Sequence, residues 1–186
     1  MERMTSTSEF FHEVITAAMA EHDVRLQETT EYYLVNLLTE NTSARVDDEP
    51  LALKLAQAGL AEPSERARLL REIGDTALLT SGFFAESLSR RMVSVEYYID
   101  LGGSAYGQLA RAGRCVSELF RGIYAELASH FPRLVDVLGE ARARMNLNTS
   151  TNVLRLYEQW LETRSEYIAR RLRAAGFVLP VPGHSS

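Results

Sequence analysis

Apolar residues in this chain return at intervals of three and four, from Phe11 to Leu172, and no stretch alternates apolar with polar. A helix with 3.6 residues per turn gathers such positions on one face, whereas a half-buried strand needs a period of two. The pattern therefore predicts an all-α fold, a bundle of six to eight helices.

Taken in order, Phe11, Val14, Ile15, Ala18 and Met19 give the face of a helix from Ser8 to about Glu21. Leu26, Tyr33, Leu34, Leu37 and Leu38 continue the pattern to Asn41, as a second helix or as an extension of the first. Thr42 to Pro50 reads as a solvated connection, and Leu51 to Leu60 as a short helix capped at Gly59. Pro63 and Glu65 mark a new start, Pro in the first turn and an acid near the positive end of the dipole. The helix that follows reaches Arg90–Arg91 on a stripe of Leu70, Ile73, Ala77, Phe84 and Leu88. After residue 113, Val116, Leu119, Phe120, Ile123, Leu127 and Phe131 form another stripe, where Pro132 either kinks the helix or opens the next. Asn148 to Thr151 offer N-caps for a last helix through Val153, Tyr157, Trp160, Leu161, Ile168 and Leu172, closed by Gly176. Residues 1–176 read as one domain, and 177–186 as an extended or disordered tail.

The helix between Ser94 and Gly113 is the unusual one. Tyr98, Leu101, Ala105, Leu109, Ala112 and Val116 recur on one side, and Ile99, Gly103, Gly107, Ala110 and Gly113 on another. Leu101 and Gly103 lie roughly 200° apart around the axis. A helix apolar on two sides is a buried helix, so this one is expected at the centre of the bundle. Gly102, Gly103 and Gly107 together cost on the order of 3 kcal/mol against alanine. Close approach of a neighbouring helix, a break at Gly102-Gly103-Ser104, or a flat ligand against bare backbone would each account for them.

Composition sets the outer limits. A chain of 186 residues can bury a substantial core as one domain. The net charge of −5 argues against a general nucleic-acid binder. A single cysteine excludes an intramolecular disulfide and fits a reducing compartment. The N-terminus lacks a signal-peptide core and no apolar run approaches the length of a membrane span, so no membrane partner and a cytoplasmic location are expected.

Chemical motifs are sparse. Di-iron bundles need paired Glu-x-x-His steps, and there are none; Glu126 and His130, four apart, share a face but do not complete a metal site. Cys115 sits beside Val116 in an apolar run and reads as core rather than nucleophile, despite Arg111 and Arg114 nearby. The tyrosines, among them Tyr33, Tyr98, Tyr106 and Tyr124, either line a polar-edged pocket with Asp75, Thr76, Thr80 and Ser81, lie at an interface, or pack with their hydroxyls at the surface.

Two short stretches resemble known families. Leu55 to Leu60 followed by Pro63-Ser64 resembles a helix-turn-helix, which implies Glu65–Ile73 as the reading helix, with Arg66, Arg68 and Arg71 offered to DNA. Tyr98-Ile99-Asp100-Leu101-Gly102-Gly103, with Gln108 beyond, resembles the glycine-rich distal helix of heme oxygenases. Ile99 stands there in place of a glycine, and the serine after Leu101 is missing. That resemblance implies a pocket in which Gly102, Gly103, Gly107, Tyr98 and Tyr106 approach a flat cofactor, and His22 as the proximal ligand.

A non-enzymatic interaction or regulatory protein of adapter type, self-associating through helix faces, is the expected function. A small-molecule or cofactor-binding protein with its pocket against the 99–110 helix is the alternative. No residue pattern names a cofactor.

Overall fold

The computed structural model describes residues 2–41, 50–88 and 93–174. Among these the fold is all-helical, eight α-helices and one π-helical turn without a strand. The 42–49 connection, Arg90–Arg91, Gly176 and the 177–186 tail lie outside the described residues. By its contacts the chain groups into two compact units, Met1–Arg142 and Ala143–Ser186.

In the first unit α1 (Glu2–Glu21) and α2 (Glu28–Asn41) are separate helices. The break is a left-handed residue, Asp23, with φ of 49°. Around it Val24 N–H donates to Met19 C=O at 2.9 Å and Asp23 N–H to Ala20 C=O at 3.3 Å, the paired bonds that close a helix end. Met19 and Val24, the two side chains such a closure brings together, are both buried.

Helix α3 (Leu51–Leu60) ends one turn of chain before α4 (Pro63–Leu78). Ala61, in extended backbone, is the cap, and Gly59 lies inside the helix rather than closing it. Pro63 opens α4 as the sequence predicts, with Glu65 in its first turn. The expected run to residue 91 is interrupted, because Leu79–Phe83 form a π turn before the short α5 (Ala85–Leu88). Phe84 N–H reaches five residues back to Leu79 C=O at 2.8 Å, and Ser81 Oγ donates to Ala77 C=O.

Ser94 caps α6 (Val95–Ala110), accepting from Tyr97 N–H. This helix is buried along one side, by Tyr98, Gly102, Ala105, Tyr106 and Leu109. The small-residue side, with Ile99, Gly103, Gly107 and Ala110, is only half-buried, and Glu96, Asp100 and Ser104 face solvent. α4 packs against both α3 and α6.

Helix α7 (Glu118–Thr163) runs through Pro132 without a new start. The caps expected at 148–151 lie inside it. Pro132 is exposed, so the hydrogen bond its ring removes is lost on the solvent side. The break falls instead at Arg164, left-handed at φ 51°, before α8 (Glu166–Ala174). In the second unit Trp160, Ala169 and Leu172 are buried with Leu156, Tyr157 and Ile168 against them, and Arg164 lies 4.6 Å over the Trp160 ring.

Candidate functional site

Asp75, on α4, is the point where side chains of α2, α6 and α7 converge. Tyr33 of α2 and Tyr106 of α6 each donate a hydrogen bond to its Oδ1, both at 2.6 Å. Arg71, one turn earlier on α4, holds Nε 3.5 Å from Oδ2. Tyr124 of α7 stacks on the Tyr106 ring at 5.7 Å and meets Tyr33 edge-on at 5.9 Å. Gly74 makes the approach possible: a Cβ there would stand 2.5 Å from Tyr106 Cε1. The bare backbone of α4 thus lets a buried aromatic ring cross it and deliver its hydroxyl to the next residue.

The electrostatics follow from enclosure. Asp75 keeps 16% of its side chain exposed. Burial pushes its carboxyl above the usual range, while the bonds from Tyr106 and Tyr33 and the charge of Arg71 oppose the shift without cancelling it. Burial, with the Asp75 charge beside it, pushes Tyr33 and Tyr106 well above the ordinary phenol range. Tyr124 is raised by burial too, against the pull of Arg71. All three phenols stay protonated at neutral pH, Tyr33 and Tyr106 as donors to Asp75.

Arg71 and Tyr124 also form part of the wall of a surface groove. One open cleft of about 400 Å³ lies between Arg68 and Arg71 on α4 and Val116, Phe120 and Tyr124 near the start of α7. A second of about 430 Å³ adjoins it, lined by Pro63, Arg66, Gln108 and Arg111 among others. Ala67 and Cys115 line both, so the two clefts lie side by side as a two-part groove. Cys115 is exposed. The sequence places it in the core because the apolar stripe runs on to Val116, but α6 ends at Ala110 and Cys115 falls in the loop before α7.

The nominated cofactor residues distribute differently. Tyr106 belongs to the Asp75 cluster, and Tyr98 is buried with its ring 5.4 Å from Tyr97. The space a Cβ would take at Gly102 is filled by the Phe131 ring and by Ala77 Cβ, so helices of the same chain close on it. At Gly103 and Gly107 a Cβ would meet only ordinary contacts, 3.8 Å to Phe131 and 3.6 Å to Arg111. His22 lies in the turn after α1, its N–H on Ala18 C=O.

Other candidates have structural work. The Glu126 carboxylate accepts from Gln27 N–H at the start of α2, at 3.1 and 3.2 Å. Beside it, Ser129 Oγ donates to the Glu126 carbonyl, and His130 Nδ1 lies 3.0 Å from that hydroxyl. Among the described residues no group of three His, Cys, Asp or Glu side chains could hold a metal ion, and no helix is long and apolar enough to cross a membrane. On the helix-turn-helix stretch, Arg68 is bound by Glu65 and Glu72, each at 2.6 Å, and Arg66 by Gln108 at 2.9 Å.

Of the Asp75 cluster, the sequence reading has the tyrosines and Asp75 as a possible set. It misses Arg71 as their partner and Gly74 as the residue that admits the ring. An arginine four residues before an aspartate on a predicted helix is the available signal. Compared with family models, with curated proteins and with solved structures, the chain finds no match.

Proposed function

We propose that this chain is a non-enzymatic interaction protein of adapter or regulatory type, cytoplasmic and self-associating. The observation that carries the reading is the apolar surface left on α7. Leu154 is 60% exposed and Leu161 44% exposed. They stand seven residues apart, two turns of one helix face, which is the spacing of a helix-to-helix seam. Tyr167 on α8 is exposed as well.

Sedimentation over a range of concentrations tests this. The intact chain is expected to associate, and L154E/L161E to remain monomeric with an unchanged helical spectrum. A chain that stays monomeric at every concentration refutes self-association.

The half-buried small-residue side of α6, at Gly103 and Gly107, is the ground for a second reading, a small-molecule protein with its pocket against the 99–110 helix. Native mass spectrometry separates the two, since extra mass that leaves on denaturation belongs to a ligand and integral multiples of the chain mass to association.

A further inference from the structure

We infer that the groove of the first unit receives a short acidic amphipathic segment of a partner protein, with carboxylates on Arg66 and Arg111 and apolar side chains against Leu109, Val116 and Phe120. The inference rests on the interaction reading above and names the chemistry of the partner.

Charge is the first argument. The chain carries a net charge of −5, yet both clefts are lined by arginines and by no aspartate or glutamate. The four arginines are not equivalent. Arg68 is neutralised by Glu65 and Glu72, and Arg71 leans on Asp75. Among the described residues the Arg66 side chain bonds the neutral amide of Gln108 alone, and both Arg66 and Arg111 are exposed. Two cations without a carboxylate partner among the described residues therefore stand in one cleft, where each can give a charge-assisted contact to an incoming carboxylate.

Shape is the second. The groove is open along its length, so it suits a chain segment lying across it better than an enclosed small molecule. Along α4 it extends from Pro63 to Arg71, eight residues or about 12 Å, the length of roughly two helical turns. Apolar side chains border the charged ones: Leu70 and Leu109 form the buried floor, and Leu60, 93% exposed, stands at the end of α3 before the Ala61 edge of the groove. A segment with acids on one side and leucine or phenylalanine on the other matches that order.

Panning a displayed library of short random peptides against the full chain tests the inference, followed by calorimetric titration of the synthesised winners. Protection of the Cys115 thiol, the only one in the chain, locates the bound peptide. Winners are expected to combine Asp or Glu at three- and four-residue spacing with Leu or Phe. They are expected to slow Cys115 alkylation, to weaken with added salt, and to lose about tenfold or more in affinity on R66A/R111A. Both arginines are exposed, so that variant should keep the wild-type melting profile, which circular dichroism checks.

Neutral or basic winners, or winners indifferent to R66A/R111A, overturn the inference. So does the absence of any enriched peptide; arginine-dependent binding of 8-anilinonaphthalene-1-sulfonate would then make the groove a site for a small organic anion. L154E/L161E should bind the winning peptides as the wild type does. Self-association and peptide binding can thus fail independently of each other.

Discussion

Gly74 and Tyr106 are in contact through a space that no other residue at position 74 could leave: a Cβ would fall 2.5 Å from Tyr106 Cε1 and 2.6 Å from Cδ1. Tyr106 is completely buried and fixed at its hydroxyl by Asp75, so its ring has nowhere to turn. Gly74→Ala gains about 1 kcal/mol of helix propensity. It also pays an overpacking cost of about 1–3 kcal/mol, and the distance decides for the cost. We expect a net loss of roughly 1 kcal/mol in urea unfolding. Gly59→Ala is the control: it also lies in a helix, with nothing within 4 Å of the new Cβ, and should stabilise by up to about 1 kcal/mol.

Asp75 gives the stability a pH dependence of definite sign. Its carboxyl titrates above the unfolded value, so the native state binds the proton more tightly than the unfolded chain does. Its contribution is fully present below the ordinary carboxylate range and is lost as pH rises through the raised value. The slope is at most about 1.4 kcal/mol per pH unit for one group. Asp75→Asn removes the titration and keeps an oxygen for both tyrosines. The stability of the wild type minus that of Asp75→Asn should therefore fall across this acid window and level off above it. A difference independent of pH would refute the assignment.

The phenols set a second limit, at alkaline pH. Tyr33, Tyr106 and Tyr124 are all raised in the native state. Below pH about 10 they are neutral whether the chain is folded or not, so they add no slope. Above it the unfolded chain ionises first, and stability falls by up to about 1.4 kcal/mol per pH unit for each. Phenolate absorbance followed with denaturation should show these three ionising only as the chain unfolds. Tyr106→Phe should reduce the steepness of the alkaline loss by about one tyrosine's share.

Periodicity made the helices legible because burial of one face is a property of spacing alone. Pro63 and Glu65 marked the start of α4 for the same local reason. The ends were harder where an atypical residue does the closing. Asp23 and Arg164 adopt left-handed backbone, a conformation that glycine signals more readily than a charged residue does. The π turn at Leu79–Phe83 has no signature in composition, and the apolar stripe that continues past the true end of α6 draws the exposed Cys115 into the core on spacing alone. Asp75 was visible among the tyrosines as a candidate partner. That Tyr33 and Tyr106 share one of its oxygens depends on contacts 42 and 31 residues apart, which spacing along the chain does not encode.

The π turn carries a consequence for insertions and deletions. Its five-residue reach from Leu79 to Phe84 holds one residue more than an α-helical path would. That residue advances the phase of everything after it by about 100°, so Ala85–Leu88 does not continue the face that α4 would project. Deleting a single residue between Leu79 and Phe83 would leave an uninterrupted helix by local criteria, yet would turn Leu88, now buried, away from its present environment. The length of this segment is therefore constrained more tightly than its amino-acid identities.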